Sequence, residues 1–134
     1  MEPVKVVIRY ANGRLLKGYT NDFFPNKPSF HVNPVEIGNK DRGVEVLVNQ
    51  LKAVFFVKDF DGDPSRYDRK NFAGGGQLSG RKAEVKFADG EVIVGSTLGY
   101  DPKRPGFFIT PADSQSNNLR VFVVSLAVRA FRFL

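Results

Sequence analysis

Within 134 residues that include no cysteine, any chemistry must come from carboxylates, hydroxyls, basic groups and a single imidazole, His31. One histidine without thiols builds no His- or Cys-based metal cluster, and general-base catalysis would rest on that one ring. Three stretches imitate known binding loops and fail in detail. Asp59-Phe60-Asp61-Gly62-Asp63 opens like a calcium loop, but Pro64 and Lys70 stand where glycine and the bidentate glutamate are needed. Gly75 to Lys82 is glycine-rich like a phosphate loop yet lacks the closing Gly-Lys-Ser/Thr. Ser65 to Lys70 resembles a basic arm but is short and interrupted by Asp68. Glu36 and Asp41 fall in a polar loop where solvation accounts for them. The remaining chemistry-bearing sets are two loops that mix aromatic and basic side chains. Phe24, Asn26 and Lys27 form one, Tyr100, Lys103 and Arg104 the other, and such a mixture can stack bases and neutralise phosphates. These residues predict no enzyme, no cofactor and no metal.

The two loops are copies of each other. At a constant offset of 77, Val6–Val57 lies over Ala83–Leu134 without a gap. Tyr10-Ala11-Asn12-Gly13 falls on Phe87-Ala88-Asp89-Gly90, and Pro25, Pro28, Phe30 and Pro34 fall on Pro102, Pro105, Phe107 and Pro111. An internal repeat of this kind predicts one small unit used twice. The expected organisation is a first unit over 1–57, a flexible glycine-rich linker over 58–82 and a second unit over 83–134. Units this small bury little surface alone, so they should pack together or join a larger assembly. In this alignment His31 takes the place of Phe108, which assigns it a packing position.

Apolar residues alternate at Val4, Val6, Ile8 and Tyr10, the period of a half-buried strand. Asn12-Gly13 and Asp89-Gly90 then predict type I′ hairpins. Gly18 and Gly95 inside the second strands mark a bend or a close backbone approach. Two prolines three residues apart stiffen the next loop, and three further short strands follow, the last two across a very short connection. The fold class is all-β, with two tandem five-stranded small barrels related by internal duplication.

Each copy resembles the Sm-like fold, including its bacterial Hfq branch, and more broadly the SH3-like barrels of an uncharacterised bacterial family. The residues behind the resemblance are Asn12-Gly13, Leu16-x-Gly18, Val44-x-Val46 and Asn49-Gln50-Leu51-x-Ala53-Val54. The resemblance implies RNA binding through an Asp-x-Phe-x-Asn loop, and Asp22-Phe23-Phe24-Pro25-Asn26 matches it in part. The second copy has Gly99-Tyr100-Asp101-Pro102-Lys103 there, and the family's basic run at the closing strands is replaced by Leu47-Val48-Asn49. Phe23 and Tyr100 have a competing role as hydrophobic plugs over the barrel ends.

The net charge of +6 is thinly spread, with 8 basic against 5 acidic residues in 1–57, 6 against 4 in 58–82 and 6 against 5 in 83–134. Nucleic-acid recognition favours a denser patch. Where the copies differ, Phe122 replaces Glu45, Val94 replaces Lys17, and Phe55 stands opposite Arg132. Apolar residues on the outward phase of a strand need a covering surface. Leu47, Phe55, Val94, Phe122 and Val124 are therefore the expected contact between units or subunits. The functional expectation is a cytoplasmic, non-membrane interaction or adaptor module with a protein partner or self-association. RNA binding is the alternative, and a small-ligand or nucleotide sensor the third class.

Overall fold

A computed structural model describes residues 3–35, 43–60, 80–113 and 116–134. The calcium-like, phosphate-loop-like and basic-arm stretches and the Glu36–Asp41 pair lie wholly or largely outside these residues, as does most of the expected linker. Ten strands follow in chain order: β1 (Val4–Tyr10), β2 (Leu15–Thr20), β3 (Ser29–Pro34), β4 (Val44–Leu47), β5 (Leu51–Val57), β6 (Arg81–Phe87), β7 (Val92–Thr97), β8 (Gly106–Pro111), β9 (Asn118–Val124) and β10 (Val128–Phe133). Single 3₁₀ turns, Val48–Gln50 and Ser125–Ala127, join β4 to β5 and β9 to β10. The strands form one open antiparallel sheet, ordered β10-β6-β7-β8-β9-β5-β1-β2-β3-β4.

The offset of 77 recurs in the hydrogen bonding. The amides of Lys27 and Arg104 donate to the carbonyls of Phe24 and Asp101, and those of Val48 and Ser125 to Pro28 and Pro105. The first hairpins are not type I′. Within these turns Gly13 and Gly90 have positive φ, at 93° and 94°, while Asn12 and Asp89 do not. The Gly13 amide donates to Tyr10 and the Tyr10 amide to Arg14, which is a type I turn closed by a glycine bulge. Asn12 and Asp89 serve through their side chains, accepting from the amides of Arg14 and Glu91. Gly18 and Gly95 are close-approach positions, since a Cβ there would collide with the carbonyls of Asn33 and Thr110.

The halves meet where β5 pairs with β9, Val54 opposite Phe122 and Phe55 opposite Val121. With β1 on its other edge, β5 is buried along all seven residues. Its alternating side chains consequently enter two cores. Val54 and Phe56 pack with Val6, Ile8, Phe30 and Val32, and β9 adds Phe122 and Val124 to that cluster. Ala53, Phe55 and Val57 cross to the other cluster with Val7, joining Val85, Phe87, Ile109 and Val121. Lys52 is an extra residue on β5, because Arg9 pairs with Ala53 and Tyr10 with Leu51. The bulge sends its ammonium into the other half, where it donates to Asp89 at 2.7 Å and to Glu91 and lies 4.8 Å from the Phe87 ring centre. Phe122 is fully buried in the core of the half to which it does not belong by sequence. Replacing Phe122 by Ala should cost about 3–5 kcal/mol, and Phe122→Glu more. Denaturant unfolding should show both halves losing stability in a single shifted transition.

Candidate functional site

The proline-bounded loops between β2 and β3 and between β7 and β8 carry the aromatic and basic residues singled out above. Phe24, Asn26 and Lys27 are exposed, and the Lys27 ammonium sits 4.6 Å from the Phe24 ring centre. Tyr100 is engaged internally, stacked on Phe131 at 3.9 Å and edge-on to Phe107 at 5.0 Å. Phe23 likewise packs inward, with ring centres 5.0 Å from both Phe30 and Phe122. Lys103 and Arg104 are exposed at the loop tip, and Asp101 accepts from the Lys103 amide.

Two hollows flank the second loop, and Arg104 lines both. The smaller, about 420 Å³, lies where the two loops and the two 3₁₀ turns converge, walled by Pro28, Leu47, Pro102, Lys103, Pro105 and Leu126. The larger, about 690 Å³, is bounded by Pro25 of the first loop and by Tyr100, Phe107, Phe108 and Arg120. Arg120, which sequence reasoning missed, lies 4.6 Å from the Phe56 ring centre and 4.4 Å from that of Phe108. It is the side chain that caps the seam between the halves.

The expected contact residues divide. Phe122, Val124 and Phe55 are buried across the β5–β9 seam. Val94 is buried on β7, opposite Glu84 of β6, on a strand with no pairing to the first half. Leu47 is 40% exposed and lines the smaller hollow. Lys52, Asp89 and Glu91 also join the halves and went unnoticed, because a bulge breaks the alternation on which side-chain direction is read.

His31 is not a packing residue. It is exposed, its Nδ1 is 2.8 Å from Asp22 Oδ2, and its amide donates to Asp22 Oδ1 at 2.9 Å. Thr20 donates to the same carboxylate, so Asp22 ties the end of β2 to β3. Among the described residues no group of three or more His, Cys, Asp or Glu is placed to hold a metal ion. No helix of the described residues is long and apolar enough to cross a membrane.

Partial burial pushes the Asp22 carboxyl up, but the hydrogen bonds from His31 and Thr20 outweigh it and hold the pKa below the ordinary value. Asp89 is lowered by the hydrogen bond from Lys52. A depressed native pKa means that the unfolded chain binds more protons. These contributions are therefore complete above the usual aspartate range and disappear as pH falls through the native value. Asp22→Asn and Asp89→Asn should each lower stability at neutral pH, and the gap to wild type should close at an acidic pH below the ordinary aspartate range. Unfolding midpoints measured at both pH values check this.

No curated protein and no solved structure matches the chain. Residues 2–134 match the family of unknown function DUF6982. The chain, with its ten-stranded sheet and paired proline loops, belongs to that family.

Proposed function

We propose that the chain is a non-enzymatic interaction module made of two Sm-like or SH3-like five-stranded barrels, products of internal duplication fused edge to edge. Within each half the order is the same, the fifth strand beside the first and then the second, third and fourth, and this supports the reading. The observation that carries the function is the 420 Å³ hollow between the paired loops. Leu126 projects there with 78% exposure and Leu47 with 40%, on a floor of prolines that need no ordering when a partner arrives. Lys103 and Arg104 supply a basic rim. A short extended protein segment with an apolar anchor and flanking carboxylates suits that combination. A photo-crosslinking residue at position 126 should trap a discrete protein partner, and Leu47→Asp should abolish the product. The same residue at exposed position 119, on β9 and outside this hollow, should trap none. Equal yields at 126 and 119, or no loss with Leu47→Asp, reject the reading.

RNA is the second reading, favoured by one observation, the exposed Phe24 ring with Lys27 above it. A base stacked there would be worth about 1–3 kcal/mol. Under this reading, short oligouridine binds at low salt, weakens steeply as salt rises, and loses affinity with Phe24→Ala and Lys27→Ala. Absence of binding at low salt removes it. The third class, a small-ligand sensor, would use the 690 Å³ hollow beneath Arg120, a volume in the range of ordinary ligand sites.

A further inference from the structure

Among the described residues the sheet ends on two edges, β4 and β10. Shifted by 77 residues, β10 is the counterpart of β5 and β4 the counterpart of β9, the two strands that make the internal seam. The geometry of one chain thus contains the halves of a second, identical seam, which β10 of one copy and β4 of the next could form, and so on without limit. We infer that this second seam is barred, and that the seam between the halves is made once per chain and not between chains.

The bar is visible at the seam positions where the two halves diverge, while Val121, Val124, Phe56 and Val57 keep apolar counterparts in Val44, Leu47, Phe133 and Leu134. Phe122 is fully buried in the internal seam, while its counterpart on β4 is Glu45, which is exposed. Phe108 packs against the first core from β8, while its counterpart His31 is exposed and held by Asp22. Arg120, which covers Phe56 and Phe108, has Gly43 as its counterpart. On the receiving side, Val7 and Phe55 pack into the second core, but their counterparts Glu84 and Arg132 are bound to each other in solvent at 3.0 and 3.2 Å.

The ionic link fails too. Lys52 crosses the seam to Asp89 and Glu91. Its counterpart is Arg129, the extra residue of the equivalent bulge in β10, between Val128 and Ala130. It would meet Asn12 and Arg14 in place of the two carboxylates. A repeated seam would therefore bury Glu45 without a partner, break or desolvate the Glu84–Arg132 pair and set two arginines face to face. Each is unfavourable, and together they oppose the gain from covering the exposed Val44, Leu47, Phe133 and Leu134 at these edges. Charge on exposed sheet edges is how β proteins avoid edge-to-edge growth. Here the charges occupy the positions at which the two halves diverge.

The chain has no cysteine, so a disulfide can report on the edges. In the internal seam Phe56 pairs with Arg120, which places Phe133 opposite Gly43 in a second seam. A Gly43→Cys/Phe133→Cys chain should stay single on a non-reducing gel after mild oxidation. Adding Arg14→Glu, Glu45→Phe, Glu84→Val and Arg132→Phe removes the four charged residues that bar the seam and should convert most of the protein to a ladder of linked copies. Circular dichroism checks that the variant is folded. If the fourfold change unfolds the chain, Arg14→Glu with Glu45→Phe alone, both at exposed positions, should still raise the linked fraction several-fold. A ladder in the background without the seam substitutions overturns the inference. So does a folded variant that remains unlinked.

Discussion

The structure depends on one strand having no free side. β5 is hydrogen-bonded along both edges and buried on both faces, so neither half can complete its core without the other. Apolar burial is worth roughly 25 cal/mol per Å², and units of about fifty residues bury too little for comfort when alone. The exchange of Phe122 and Val124 one way, and of Phe55 and Val57 the other, merges two marginal cores into a mutually dependent pair. Lys52 adds direction to that dependence. Its buried ammonium requires Asp89 and Glu91, so a shifted register would leave a charge without partners.

Local pattern carried much of this fold. Period-two alternation located the strands, and the outward phase of Phe55 and Phe122 singled out residues that need cover. What escaped the sequence was of two kinds. Backbone detail escaped because Asn-Gly suits more than one hairpin turn, and the φ of Asn12 decides between them. Non-local pairing escaped because nothing in Leu51–Val57 says which distant strand will lie beside it, so the units were expected to pack together without β5 and β9 being singled out as the strands that join them. His31 shows a subtler failure. Its repeat counterpart Phe108 packs inward, yet His31 lies on the part of the sheet that no other half covers. Similarity between copies transfers backbone geometry, not environment.

The candidate site follows the same logic. Of the two roles open to Tyr100, base stacking and an internal hydrophobic plug, its ring leaves less room for the first, because Phe131 of the edge strand already stacks on one face. Phe24, without such a neighbour, keeps its ring in solvent. Equivalent loops are thus held in one shape by the same turn hydrogen bonds while presenting different surfaces. Arg104 and Leu47, from opposite halves, come together only because the seam brings the second loop beside the first 3₁₀ turn.

The seam also orders events on the ribosome. β9 follows β5 only after residues 58–117, so the first half emerges with one edge of β5 unpaired and Val7, Phe55 and Val57 uncovered. Pairing across so long a stretch of chain is slow, and an apolar edge left open in the meantime invites wrong partners. The nascent first half is the stage at which the apolar edge of β5 is most exposed, and only the emergence of β9 supplies the strand that covers it.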